Sequence, residues 1–215
     1  MKIFNTSEYS EKLKIRQVNV KNIDYTYSCK PQSTKELADI IKKRMIEKGE
    51  DCDLNDIDVS EITDMRFLFK PDYFDGMQFN GDISKWDVSN VYNMGFMFCG
   101  LTKFNCDISG WNVSSVINMR NMFHNCNNFN QDISGWDVSK VETMECMFYN
   151  ASAFNQDISE WDVSKVTDMR FIFNNAKKFD QDLSSWNTKK VGCTFHIFDD
   201  CPLENNKEKQ PVFSD

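Results

Sequence analysis

Histidine is nearly missing: His124 and His196 are the only two in 215 residues. Neither stands in sequence near a credible nucleophile or metal partner, so catalysis is not expected and the chain is read as a non-enzyme that needs no cofactor. Long apolar runs are missing too. None approaches the length of a membrane span, and Met1 to Ser10 lacks the roughly 7 to 15 residue apolar core of a signal peptide. Membrane insertion is therefore not expected, and as the sequence stands it reads as cytoplasmic. Positive charge is in short supply, with 25 Lys and Arg against 33 Asp and Glu and a net charge of −8, which argues against nucleic acid or an anionic membrane as partner. Such a chain suits a basic protein, a neutral partner or a cation. The eight cysteines lack both a CxxC metal motif and a recurring disulfide spacing. They read as reduced thiols used as small packing residues.

What the chain has is a strict period. Trp86, Trp111, Trp136, Trp161 and Trp186 are all its tryptophans, each 25 residues after the last. Phe79, Phe104, Phe129, Phe154 and Phe179 keep the same step, as do Ile83, Ile108, Ile133, Ile158 and Leu183. Periods of this size signal stacked repeats. A degenerate copy lies upstream, where Leu54, Ile57, Val59, Ile62, Met65 and Phe69 match the first full copy at a shift of 29, leaving Lys70 to Met77 as a surface insertion. Six repeats result, at 53–78, 79–103, 104–128, 129–153, 154–178 and 179–203. Ahead of them, residues 1–52 read as a cap made of a strand segment within Ile15 to Tyr27 and an amphipathic helix over 34–48, bounded by Ser33 or Thr34 and by Gly49. The polar tail, 204–215, reads as disordered.

Within a repeat, Val91, Met94, Met97, Phe98 and Leu101 fall on one face of a helix, with Ser89 before it and Gly100 after it as caps. Asp82 to Val88 reads as an extended strand with a bend near Ser84 and Lys85. The predicted fold class is an α/β repeat solenoid, one short parallel strand and one short helix per repeat, whose Trp, Phe, Met and Ile rows form a continuous core.

The unit Phe-Asn-x-Asp-Ile-Ser-x-Trp-Asp-Val-Ser-x-Val-x-x-Met-x-x-Met-Phe, clearest from Phe129 to Phe148, resembles the BspA-like branch of leucine-rich repeats. The resemblance covers about residues 53 to 203. It implies a leucine-rich-repeat-like solenoid in a family of mostly bacterial surface proteins associated with adhesion and protein binding, and hence a possible cell-surface location. It brings no catalytic residues.

Two ladders of acidic residues recur: Asp82, Asp107, Asp132, Asp157 and Asp182, then Asp87, Asn112, Asp137, Asp162 and Asn187. They read as turn caps. The alternative is calcium held between repeats by the first ladder, although the glycine-rich calcium pattern of other solenoids is absent. Positions fixed by the fold cannot encode a partner, so specificity is sought where the repeats differ. Those rows supply the candidate partner surface: Lys85, Tyr92, Arg120, Glu142, Glu145, Glu160 and Arg170. The function expected is a monomeric protein-binding scaffold, with a surface adhesin or a calcium-stabilised structural module as alternatives.

Overall fold

The computed structural model describes residues 17–20 and 23–213; residues 1–16, assigned above to the cap, lie outside them. β1 (Gln17–Val20) and β2 (Ile23–Thr26) form an antiparallel pair, with Gln17 opposite Thr26 and Val20 opposite Ile23. α1 (Thr34–Lys48) follows. Ser33 caps it, its hydroxyl accepting from the N–H of Glu36 at 3.2 Å, and Gly49 ends it with a left-handed φ of 91°. Leu37, Ile41 and Met45 are buried on the first repeat, and the Thr34 hydroxyl donates to the Asp64 carbonyl. Among the described residues no helix is long and apolar enough to cross a membrane.

The repeats stack as coils in parallel register, joined by single bridges from Asp64 to Asn93, Asn118, Thr143, Asp168 and Cys193. The coils contain neither a strand nor a helix. Among the described residues the only α-helix is α1 and the only strands are β1 and β2, all outside the repeats. The expected α/β, leucine-rich-repeat-like unit is therefore wrong, for a local reason. Phe96, Asn121, Cys146, Phe171 and His196 all have left-handed φ between 55° and 59°, and so do Asn125, Asn150, Asn175 and Asp200 four residues later in the repeat. Two such residues in ten break any helix.

Turns replace both elements. In the first full coil the N–H of Trp86 returns to Ile83, Val91 to Val88, Met97 to Met94, Leu101 to Phe98 and Phe104 to Leu101. These are i to i+3 bonds, so the apolar interval of three marks the two corners of a turn as readily as one face of a helix. The segment read as a strand is thus two consecutive turns, Ile83–Trp86 and Val88–Val91. Both corners point inward, which is why Ile83, Trp86, Val88 and Val91 are all buried despite their mixed parity.

Two bonding schemes join one coil to the next. On one side backbone meets backbone: the N–H groups of Met94, Phe96, Phe98 and Gly100 donate to the carbonyls of Asn118, Arg120, Met122 and His124 at 2.8 to 3.1 Å, and later coils repeat the pattern. This stretch is called the ladder below. On the other side, side chains bridge. Each tryptophan Nε1–H donates to a carbonyl of the preceding coil, Trp111 to Ile83, Trp136 to Ile108, Trp161 to Ile133 and Trp186 to Ile158, at 3.0 to 3.2 Å. Asn80, Asn105, Asn130 and Asn155 accept through Oδ1 from the N–H 25 residues on, at 2.7 to 2.9 Å.

Between these walls runs the core. Phe98, Phe123, Phe148 and Phe173 form one column with centroids 5.6 to 5.7 Å apart; Phe104, Phe129, Phe154 and Phe179 form another at 5.7 to 5.9 Å. Each fully buried ring contributes about 2–3 kcal/mol of transfer free energy. The insertion expected at the surface also turns inward: Phe74 is buried against Phe69, and Asp75 pairs with Lys42 of α1 at 2.8 Å. The tail expected to be disordered is instead seated on the last coil through Phe213. It forms 3₁₀ turns at Pro202–Asn205 and Lys207–Lys209, buries Leu203, accepts the Leu183 N–H on the Lys209 carbonyl and takes the Thr188 hydroxyl on the Val212 carbonyl.

Because the indole N–H is a buried link between coils, Trp136→Phe keeps most of the ring but removes one of the two donors to the Ile108 carbonyl, leaving it the turn N–H of Trp111 at 3.1 Å. It is expected to lower stability by about 0.5–1.5 kcal/mol in chemical denaturation, the net value of one hydrogen bond; an unchanged midpoint would sink this role for the ring nitrogen.

Candidate interaction surface

The acidic ladders are turn hardware. In Asp-Ile-Ser and Asp-Val-Ser the carboxylate accepts from the serine N–H two residues on: Asp82, Asp107, Asp132, Asp157 and Asp182 do so at 2.9 to 3.0 Å. Asp87, Asn112, Asp137 and Asp162 repeat the bond at 3.0 to 3.2 Å. A third row, Asp64, Asn93, Asn118 and Asp168, heads the ladder turns in the same way at 2.9 to 3.1 Å. Most coils therefore carry three Asx-headed turns, an arrangement short polar side chains favour; Thr143 takes the third place in its coil through its hydroxyl, and Cys193 stands there in the last. Ser89 donates its hydroxyl to Asp87 at 2.6 Å instead of capping a helix. Among the described residues no three of His, Cys, Asp and Glu converge to hold a metal ion.

These bonds set the titration of the carboxylates. The serine hydroxyl and then its N–H hold Asp132, Asp137, Asp162 and Asp182 below the ordinary 3.8. At Asp157 the N–H of Ser159 leads. The cysteines are all free, and burial pushes Cys106 and Cys201 up to about 11, so both are protonated at neutral pH. His124 is held neutral by burial, bonded to Asn121 at 2.7 Å and stacked on Tyr149 at 4.7 Å; His196 pairs with Asp199 at 2.5 Å.

The candidate partner residues divide between two places. Tyr92, Arg120, Glu142, Glu145 and Arg170 come together on the ladder, because residues 25 apart become neighbours there. Lys85 and Glu160 lie on the first turn of their coils instead, Glu160 beside a shallow depression of about 230 Å³ edged by Ser159, Asp162, Ser185 and Asn187. Glu145 is not the exposed variable residue expected. It is buried, gripped by Arg120 at 3.1 Å and Arg170 at 3.2 Å, and Arg170 also binds Asp168 at 2.7 Å. The alternation Arg, Glu, Arg at a step of 25 was the sequence signal for this pairing.

Sequence reasoning missed the aromatics beside this row. Phe67 stacks on Phe96 at 4.6 Å, and the Arg120 guanidinium lies 5.8 Å over the Phe96 ring. The Tyr92 hydroxyl reaches Asp64 at 3.5 Å. Phe67, Tyr92, Ile117 and Phe195 are 39 to 68% exposed along this one face. The ladder face thus combines apolar side chains with arginines already neutralised by their neighbours.

Two outcomes follow. Glu145→Ala leaves two guanidinium groups without their shared acceptor and is expected to cost roughly 1–3 kcal/mol, whereas exposed Glu142→Lys should stay within about 0.5 kcal/mol of the parent; equal effects in chemical denaturation would refute the assignment. The folded pKa values of Asp132, Asp137, Asp157, Asp162 and Asp182 lie below the unfolded value, so their stabilisation is complete above 3.8 and is lost as pH falls through the lower folded values. Ser134→Ala should return Asp132 toward 3.8, read by carboxyl NMR titration; an unmoved titration would disprove the hydroxyl's role.

No curated protein and no solved structure matches the chain. One family model matches over residues 38–153 and again over 127–211, and so spans most of the stack. The chain belongs to the family described as Mycoplasma protein of unknown function, DUF285.

Proposed function

We propose that the protein is a non-enzymatic scaffold that binds another protein through its ladder face. The observation that carries this reading is the placing of exposed apolar side chains. Of the six large ones among the described residues, Phe67, Tyr92, Ile117 and Phe195 share this face, while Ile46 and Val212 lie in the caps. Clustered apolar exposure beside charge-neutral arginines is the usual composition of a protein interface core. The repeat consensus resembles that of BspA-like surface proteins, which supports an adhesive role at a cell surface as the finer form of the same reading.

The test is affinity capture from the native host with the intact chain as bait. The double variant Tyr92→Ser, Ile117→Ser is expected to lose its captured partner by roughly tenfold or more, and Glu160→Lys, off this face, should retain it. Equal capture by all three baits would remove the ladder face from the function.

A further inference from the structure

The ladder is one-directional. In the four middle coils four N–H groups point toward the next coil, as at Met144, Cys146, Phe148 and Asn150, which donate to Asp168, Arg170, Ile172 and Asn174; the first coil has three, at Met65, Phe67 and Phe69. The last coil has the same donors, at Thr194, His196, Phe198 and Asp200. Only the fourth is satisfied: the Asp200 N–H donates to the Glu204 carboxylate at 3.0 Å. Thr194, His196 and Phe198 have no acceptor for their N–H groups among the described residues. The tail does not reach them, since it covers Leu183 and Thr188 on the other side of the coil. Thr194 and His196 are exposed, and Phe195 between them is 68% exposed.

We propose that this edge, residues 194–198, is a strand-addition site for an extended segment of a partner polypeptide. Three donors on alternate residues call for three carbonyls on alternate residues facing one side, which an extended backbone supplies. A second copy of this chain does not fit. Edge to edge it would set donors against donors. Head to tail it would meet α1, which lies over the opposite end of the ladder with Thr34 on the Asp64 carbonyl and Lys42 on the Tyr73 carbonyl at 2.6 Å. Phe195 supplies an apolar contact for the incoming chain. Such an edge is otherwise a liability that proteins cover. The edge shares Phe195 with the ladder face, but its test reads backbone amides and not capture of a partner, so the two readings fail separately.

The probe is a synthetic peptide of residues 166–176, whose own carbonyls at Asp168, Arg170 and Ile172 accept from the preceding coil in the intact fold. Amide hydrogen exchange at Thr194, His196 and Phe198 is followed by NMR in the full chain. Fast exchange in the free protein, slowed roughly tenfold or more by saturating peptide but not by acetate, is expected. Slow exchange before the peptide is added, no slowing with it, or equal slowing by acetate would each overturn strand addition. Thr194→Pro, which removes one donor at an exposed position, should abolish protection at His196 and Phe198, while Thr194→Ala keeps it; equal protection in the two variants would also overturn it, and if the proline variant fails to melt cooperatively the parent experiment decides.

Discussion

The N–H groups of alternate ladder residues all donate in the same direction along the stack, and the backbone must adopt an unusual path to let them. In a strand, alternate residues also bond to one side but the residues between them bond to the other, and in a helix the bonds run within the segment; here the residues between close turns inside the coil, Met97 and Cys99 donating to the Met94 and Phe96 carbonyls. The left-handed residues at the positions of Phe96 and Gly100 let the chain turn within the coil while the N–H groups of Met94, Phe96, Phe98 and Gly100 still reach the next one. Each non-glycine residue held that way costs about 1–2 kcal/mol, less for asparagine. At the position of Gly100 the chain uses Asn125, Asn150, Asn175 and Asp200, which tolerate it. At the position of Phe96 it uses Asn121 and His196, which tolerate it better, but also Cys146 and Phe171, which do not, so hydrogen bonds and ring stacking along the ladder must offset the strain.

The opposite wall of the coil shows why the repeat tolerates so little variation. There the coils sit side by side without a continuous backbone ladder, and the recurring crossings are made by side chains of fixed reach. An indole is the side chain that fills a large buried space and still ends in a single N–H donor. That donor meets a carbonyl that already accepts the turn N–H of its own coil, so one oxygen closes the turn and joins the coils. Asn80, Asn105, Asn130 and Asn155 do the same work at the exposed corner. Residues that look redundant one repeat at a time are therefore each tied to the coil before or after them.

This geometry explains what could be read from the sequence. The period, the buried rows and α1 with its Ser33 and Gly49 punctuation all follow from spacing and residue type, and the structure contains them. The conformation inside the repeat did not follow, because an apolar interval of three is shared by turn corners and helix faces. Asn125 and Asn150 did signal a left-handed residue, but a helix end explains them equally well; nothing about Cys146 or Phe171 advertises one. On the surface, the rows that vary were identified, yet Glu145 varies because it answers Arg120 and Arg170 across the stack. Variation at a repeat position can record a pairing between repeats as well as a partner.

The same reasoning changes what the acidic composition says. Five aspartates of the first ladder and Asp87, Asp137 and Asp162 of the second all serve as acceptors for turn N–H groups. With Asp64 and Asp168 of the third row, ten of the 33 acidic residues head turns. Asn112 stands in the same role without charge, so the turn needs an acceptor oxygen and not an anion. The negative charge is in large part a product of how the coils turn, spread along the turn side of the stack. On the ladder face, Arg120 and Arg170 are balanced by Glu145 and Asp168, leaving shape and apolar contact to select what binds there.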